Sequence, residues 1–266
     1  MADATLTAQI EAANGYDSLL VPAMFAQWPP LLVDAADLGP GARVLDVACG
    51  TGILTREAAR RVGASGTVVG LDPGAGMLEV ARRNAPEIEW REGVAEKLPF
   101  DDANFDAVVS QFGFMFFSDK AAAATEMLRV LRPGGRIAVA VWDALENIPA
   151  YAAEVELIER LAGRAAADCV RAPFALGDAG DFARQFPDAA GPTVTTHTAT
   201  GRFPSVNAML DADLRGWLPI LGIELEEPLI QSILAEAQQI FAPYVQPDGR
   251  VQLDISAHIL AATKPH

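Results

Sequence analysis

From Arg43 onward the chain alternates short apolar runs with amphipathic stretches. RVLDVA (43–48), TVVGLD (67–72), IEWREG (88–93), NFDAVVSQ (104–111) and RIAVAVW (136–142) read as strands. Val and Ile suit pleated positions, and several of these runs are apolar throughout, as parallel strands buried on both faces are. Between them lie ILTREAARRVG, GAGMLEVARRNA and DKAAAATEMLRVLRPGG. In the last, Ala124, Met127, Leu128 and Leu131 recur at the i, i+3, i+4, i+7 spacing of one helix face, and Pro133 with Gly134 stops the helix. Such alternation predicts an α/β fold, a doubly wound and mostly parallel sheet with helices on both faces.

After Trp142 the alternation fails. Residues 149–163 read as a helix, 164–192 are rich in Ala, Gly, Pro and Asp, and TVTTHTATGRF from Thr193 reads as a strand. Residues 205–245 turn helical again, with Ile230, Ile233, Leu234, Ala237 and Phe241 on one face opposite Gln231, Glu236, Gln238 and Gln239. DISAHILAATK returns to strand character, which brings the sheet to seven strands. The expected organisation is an N-terminal helical cap (1–40), a core (41–204), a helical lid insertion (205–249), and the last core strand with the C-terminus (250–266).

Charge and composition narrow the partners. Against 20 basic side chains stand 35 acidic ones, a net charge of −15, which repels nucleic-acid phosphates and anionic membrane surfaces. With 51% hydrophobic and 21% charged residues the chain should fold. Its apolar stretches are all cut before the roughly 18 residues a membrane span needs. The N-terminus has no basic and apolar regions of a secretory signal, and two cysteines make no disulfide framework, so a cytoplasmic location is expected.

The chemistry concentrates in VLDVACGTG, Val44 to Gly52, a buried strand that ends at Asp46 and enters a glycine-rich turn before a helix near Ile53. Ala48, Gly50 and Gly52 are small enough to let backbone N–H groups approach a nucleotide-like ligand. Asp72 follows Gly52 by twenty residues, at the end of the next strand, where a carboxylate can accept both hydroxyls of a ribose. A dinucleotide site needs GxGxxG, and Thr55 occupies the third glycine position; no GxxxxGK string is present for a P-loop.

At these residues the chain resembles the class I S-adenosylmethionine-dependent methyltransferases, more narrowly the type 11 group that includes the ubiquinone/menaquinone C-methyltransferases. Four stretches carry the resemblance: VLDVACGTG (44–52), VVGLDPGAGML (68–78), EGVAEKLPFDDANFDAVVSQFGFMFF (92–117) and MLRVLRPGGRIAVAVW (127–142). It implies a Rossmann-like methyltransferase fold with S-adenosylmethionine as cofactor. Ala48, Cys49 and Gly50 would line its methionine end, and Asp46 would reach it directly or through water. Asp72 would hold the ribose, Pro73 and Met77 would pack on adenine, Ala95 and Glu96 would flank the adenine edge, and Gln111 with Phe112 would sit near the methyl. One position departs from the pattern: where such proteins usually read Gly-Asp-Ala after the third strand, this chain has Gly93, Val94 and Ala95. Val94 cannot accept from the adenine amine, which leaves backbone groups, Glu96 or packing to recognise adenine.

The implied activity is methyl transfer by in-line displacement to a small, largely apolar or aromatic acceptor, with Tyr16, Trp28, Phe116 and Trp142 as pocket walls. Cys49 has no basic neighbour in sequence that would make it reactive. His197 and His258 lie in strands; His197 is the candidate should a proton have to be taken from the acceptor. With three histidines and no acidic or histidine cluster at ligand spacing, no metal is expected. No Pro-Pro-aromatic string follows the fourth strand, which agrees with the charge in arguing against a nucleic-acid acceptor. Two other readings stand beside this one: a protein that binds S-adenosylmethionine without transferring its methyl, and a nicotinamide-dependent oxidoreductase.

Overall fold

The structure, a computed structural model, describes residues 2–266. The chain begins with α1 (Ala2–Gly15), a π-helical segment (Tyr16–Phe25) and α2 (Pro29–Ala35). The core then runs β1 (Arg43–Val47), α3 (Ile53–Val62), β2 (Thr67–Asp72), α4 (Ala75–Asn84), β3 (Glu89–Glu92), β4 (Phe105–Gln111), α5 (Lys120–Val130) and β5 (Leu131–Trp142). Next come α6 (Pro149–Ala162), α7 (Arg164–Arg171), α8 (Ala179–Ala183) and β6 (Ala190–Phe203). The chain closes with α9 (Val206–Asp211), a second π-helical segment (Ala212–Trp217), α10 (Leu218–Ile220), α11 (Glu227–Ile240) and β7 (Val251–Thr263).

The seven strands form one sheet in the order β3-β2-β1-β4-β5-β7-β6. β1 to β5 pair in parallel, and β7 pairs antiparallel with both β5 and β6. The order reverses at β1, between β2 and β4, so the crevice at the carboxyl ends of these strands is the place where such sheets take a ligand. Val44, Leu45 and Val47 of β1 and Val108 and Val109 of β4 are fully buried, as central parallel strands covered on both faces require. Asp119 caps α5 by accepting from the Ala122 N–H, and Ser205 caps α9 through Ala208.

Two elements differ from the pattern reading. α5 ends at Val130, before Pro133, and Leu131 already belongs to β5. The strand ladder to β4 claims that leucine, opposite Phe105, more strongly than the helical repeat does. Residues 164–192, whose composition gave no element, hold α7 and α8, with Val170 and Phe182 buried. The apolar face foreseen on α11 is present: Ile230, Ile233, Leu234 and Ala237 are buried, and the helix packs on α6. Among the described residues no helix is long and apolar enough to cross a membrane.

Candidate functional site

Each of the three strands at the switch point ends in a residue that carries chemistry. β1 delivers Asp46 and then turns sharply: Ala48 and Gly50 both have left-handed φ, 58° and 56°. An alanine in that region costs on the order of 1 kcal/mol, and such strain collects where a loop is shaped for a ligand. Gly52 (φ 85°) opens α3 under the Trp90 ring, which a Cβ there would overlap, so that position is closed to every other residue. β4 ends with a matching irregularity at Phe112 (φ 54°), and the following Gly113 lies so close to Ala48 that a side chain would collide with its methyl.

Two carboxyl groups sit under this loop. Asp72, at the end of β2, accepts from the Gly50 N–H through Oδ2 (2.9 Å) and from the Gly74 N–H through Oδ1 (2.8 Å), joining the glycine loop to the turn before α4. Burial raises its pKa, and the two backbone bonds oppose that rise. Asp46 is 1% exposed; its Oδ2 accepts from the Thr55 hydroxyl at 2.6 Å and its Oδ1 has no partner. Burial pushes it up to about 7, Thr55 holds it down, and the Asp72 charge raises it further. Tyr16 borders the same group: burial, then the Asp72 charge, push its hydroxyl above the ordinary range.

The far side of the crevice is aromatic. Phe112 and Trp142 stack at 3.9 Å, and Trp28 stands edge-on to both at 5.6 and 5.8 Å. Phe25 leans on the pair at 5.6 and 5.9 Å and carries Tyr16 on its other face at 5.3 Å. Gln111 donates through Nε2 to the Phe25 carbonyl (3.3 Å), while its buried Oε1 has no partner. Trp28 is fully buried, and its indole N–H is spent on the Met24 carbonyl, so it backs this wall rather than facing a cavity.

The remaining candidates fall as follows. Pro73 is exposed and Met77 half-buried on the first turn of α4. Ala95 is buried beside an exposed Val94. Glu96 is engaged elsewhere: Oε1 accepts from the Ser118 and Asp119 N–H groups at the start of α5. Burial acts to raise that carboxyl, but the backbone bonds hold it below the usual range. Phe116 is 46% exposed and rests on Trp217 (5.2 Å). His197 lies on the sheet-edge strand in register with Ala257 and Trp142, two strands or about 10 Å away, with Nε2 3.0 Å from the Thr195 hydroxyl. His258 is buried and tied to Thr196, the Gly177 carbonyl and Asp143, which fixes β7 to the loop after β5. Cys49 is buried against Leu78 and Trp90, with its thiol pKa raised by burial and then by Asp46 and Asp72. Among the described residues no group of His, Cys, Asp or Glu could hold a metal ion.

The sequence reading used Thr55 only to exclude a dinucleotide, yet its buried hydroxyl locks α3 onto Asp46. Its signal was present: a hydroxyl in the first turn of the helix that follows the loop. The carboxyl groups of Asp46 and Asp72 and the free oxygen of Gln111 make this crevice a set of hydrogen-bond acceptors. Arg56, which reaches the loop, donates to the Thr51 carbonyl. Such a donor-poor site suits a cationic ligand with N–H and O–H groups and suits phosphates badly.

Residues 44–135 match a methyltransferase-domain family. The chain is 40% identical over 146 residues to an uncharacterized protein of Mycobacterium tuberculosis, covering 53% of this chain and 52% of that one. It is 44% identical over 115 residues to the 2-phytyl-1,4-naphtoquinone methyltransferase of Thermosynechococcus vestitus, covering 42% and 51%. The chain thus spans about half the length of these curated relatives. The crystal structure of the YcgJ protein from Bacillus subtilis superimposes with a TM-score of 0.60 over 90% of this chain and 99% of that one at 20% identity, a likeness of fold.

Proposed function

We propose that this chain, which belongs to the class I S-adenosylmethionine-dependent methyltransferases in the group resembling the ubiquinone/menaquinone C-methyltransferases, transfers a methyl group to a small, largely apolar or aromatic acceptor. The observation that carries the reading is the pairing of two unlike walls: buried acceptors without a donor on Asp46 Oδ1 and Gln111 Oε1, beside the Asp72 carboxyl, and stacked rings on Phe112, Trp142 and Phe25. When bound, the cofactor supplies an electrophilic methyl on a cationic sulfur that departs as a neutral thioether.

The chain's own residues then have alignment and exclusion of water to provide. Asp72 accepts ribose hydroxyls while keeping the loop shut through Gly50 and Gly74. Asp46, ionised by a nearby cation, and Gln111 Oε1 hold the methionine end. Met77, Pro73 and Ala95 enclose adenine, and the rings keep the methyl end dry. Residues 205–249 serve as the lid over this edge; the contact of Trp217 with Phe116 and its indole bond to the Cys169 carbonyl (2.9 Å) support that role.

Calorimetric titration with S-adenosylmethionine, S-adenosylhomocysteine and NAD tests the cofactor: the first two should bind and NAD should not. Mass spectrometry of phenols, quinones, amines and thiols incubated with protein and S-adenosylmethionine then tests transfer. Binding without a methylated product from any class would favour a cofactor-binding protein that transfers nothing, and binding of NAD alone would favour an oxidoreductase.

A further inference from the structure

Behind the aromatic wall lies a second acidic feature that the reading above leaves unused. Glu154, on the inner face of α6, has no solvent exposure, and neither of its carboxyl oxygens receives a donor hydrogen bond from the groups that surround it. Its neighbour is Asp213, in the π-helical segment that follows α9; burial, then the Asp213 charge, push the Glu154 carboxyl well above the ordinary range, and burial pushes Asp213 up to about 7. Tyr151, one turn earlier on the same face of α6, feels both carboxylates; its hydroxyl rests on the Met24 sulfur (3.6 Å) and its ring on Phe174 (5.5 Å). The charged group that acts on each acid is the other acid, and no cation of the described residues is paired with either.

Burying two carboxyls without a countercharge is expensive, and proteins accept it mainly where a ligand completes the set. Widened π-turns, such as the one bearing Asp213, recur at functional sites. The location agrees. Met24 is followed directly by Phe25, which lies against Phe112 and Trp142 at the methyl end. Trp217, one turn after Asp213, reaches Phe116 just beyond β4. Glu154 is sealed, whereas Asp213 stays partly accessible, so the open side of the pair is the lid side.

We propose that Glu154 and Asp213, with Tyr151, form a cation-binding end of the acceptor pocket, and hence that the acceptor carries a protonated amine on its apolar or aromatic frame. The inference rests on the methyl-transfer reading and names its substrate class. An ammonium offers N–H donors to both carboxyls, supplies the positive charge they lack, and meets the ring of Tyr151 favourably. A hydroxyl-bearing acceptor brings no charge to offset the second carboxylate.

The test compares 2-phenylethylamine with 2-phenylethanol by calorimetry, on the protein alone and saturated with S-adenosylhomocysteine. The amine should bind at least about tenfold tighter than the alcohol, the scale of a charge-assisted hydrogen bond. In buffers of different ionisation enthalpy its binding should release about one proton, because burial favours the protonated form of the pair until a cation arrives. Glu154→Gln and Asp213→Asn should each remove that preference and the proton release while leaving alcohol and S-adenosylhomocysteine binding within about threefold. Equal affinities for amine and alcohol, or a preference that survives in both variants, would overturn the proposal. Should one variant fail to fold, the other and the wild-type ratio decide. Failure of S-adenosylhomocysteine to bind would instead strike the methyl-transfer reading, and the ratio measured on the protein alone would still judge this pair.

Discussion

The two halves of the crevice are built on different principles. At the ends of β1 and β2 the groups are backbone amides and short carboxylates, held by bonds such as Gly50 N–H to Asp72 and Thr55 to Asp46. At the ends of β4 and β5 they are rings, held by packing of Phe112, Trp142, Trp28 and Phe25. The first half must meet exact angles, and left-handed φ values at Ala48, Gly50 and Gly52 leave few residues that fit. The second must only fill volume and stay dry, which many combinations of side chains accomplish. On the proposed function, cofactor binding falls to the rigid half and acceptor choice to the half free to vary.

Trp28→Ala should show the largest effect and should separate the halves. The ring is fully buried edge-on to the stacked Phe112 and Trp142, so its loss should cost about 3–5 kcal/mol of stability, read from chemical denaturation. S-adenosylhomocysteine affinity of the folded variant should stay within about tenfold, because Trp28 touches none of the loop bonds. Equal damage to both would mean that the walls act as one unit. Asp72→Ala reverses the pattern: affinity for S-adenosylhomocysteine should fall about 10- to 150-fold, the loss of 1.5–3 kcal/mol from hydrogen bonds to a charged group. A dissociation constant unchanged from wild type would remove Asp72 from the site.

That contrast also explains what the sequence revealed. VLDVACGTG and the following Asp72 were legible because strand, loop and carboxylate are close in sequence and each obeys a local rule. The strand order was legible as alternation up to β5, and DISAHILAATK announced the antiparallel β7 only as a strand, since pairing direction leaves no local mark. The resemblance alone puts Glu96 at the adenine edge; that its oxygen accepts from Ser118 N–H at the start of α5, twenty-two positions away, has no local mark in the sequence. The Glu154 and Asp213 pair was invisible for the same reason: 59 residues separate them, and each alone looks like a charge on a helix surface. Trp28 and Trp142 were both marked as pocket walls because composition flags aromatics but does not say which face of a cluster they occupy.

A smaller effect, with a sign that depends on pH, is expected at Asp46. Its folded-state pKa of about 7 lies above that of an ordinary carboxylate, so the protonated form belongs to the folded protein. The stability it contributes is complete below about pH 4 and is lost as pH rises through about 7. Asp46→Asn should remove that loss, making the variant more stable than wild type at pH 8 by about 1–3 kcal/mol while matching it more closely at pH 5. Cofactor affinity should move the other way, falling about tenfold at pH 8, where wild type offers a carboxylate to a cationic ligand. Denaturation curves at the two pH values, paired with titrations of S-adenosylmethionine, read both signs. A variant that is less stable at pH 8 would show that the Thr55 bond outweighs the burial of charge.

The smallest effect should come from Cys49→Ala, although the residue lies in the loop itself. Its side chain packs in the small cluster of Leu78, Ala81, Ala85 and Trp90. Its thiol makes a weak contact with the Gly50 carbonyl at 3.8 Å. Burial and the two neighbouring carboxyls raise the thiol pKa, so at neutral pH it is a thiol and a poor nucleophile. What the loop needs at this position is a backbone N–H, which donates to the Leu71 carbonyl at 3.0 Å, and alanine supplies the same group. Removing one sulfur from the cluster should cost about 1 kcal/mol of stability, and S-adenosylhomocysteine affinity should change by less than about threefold. A loss of affinity near that of Asp72→Ala would place the sulfur among the cofactor contacts, and the rigid half would then depend on side-chain packing as the aromatic half does.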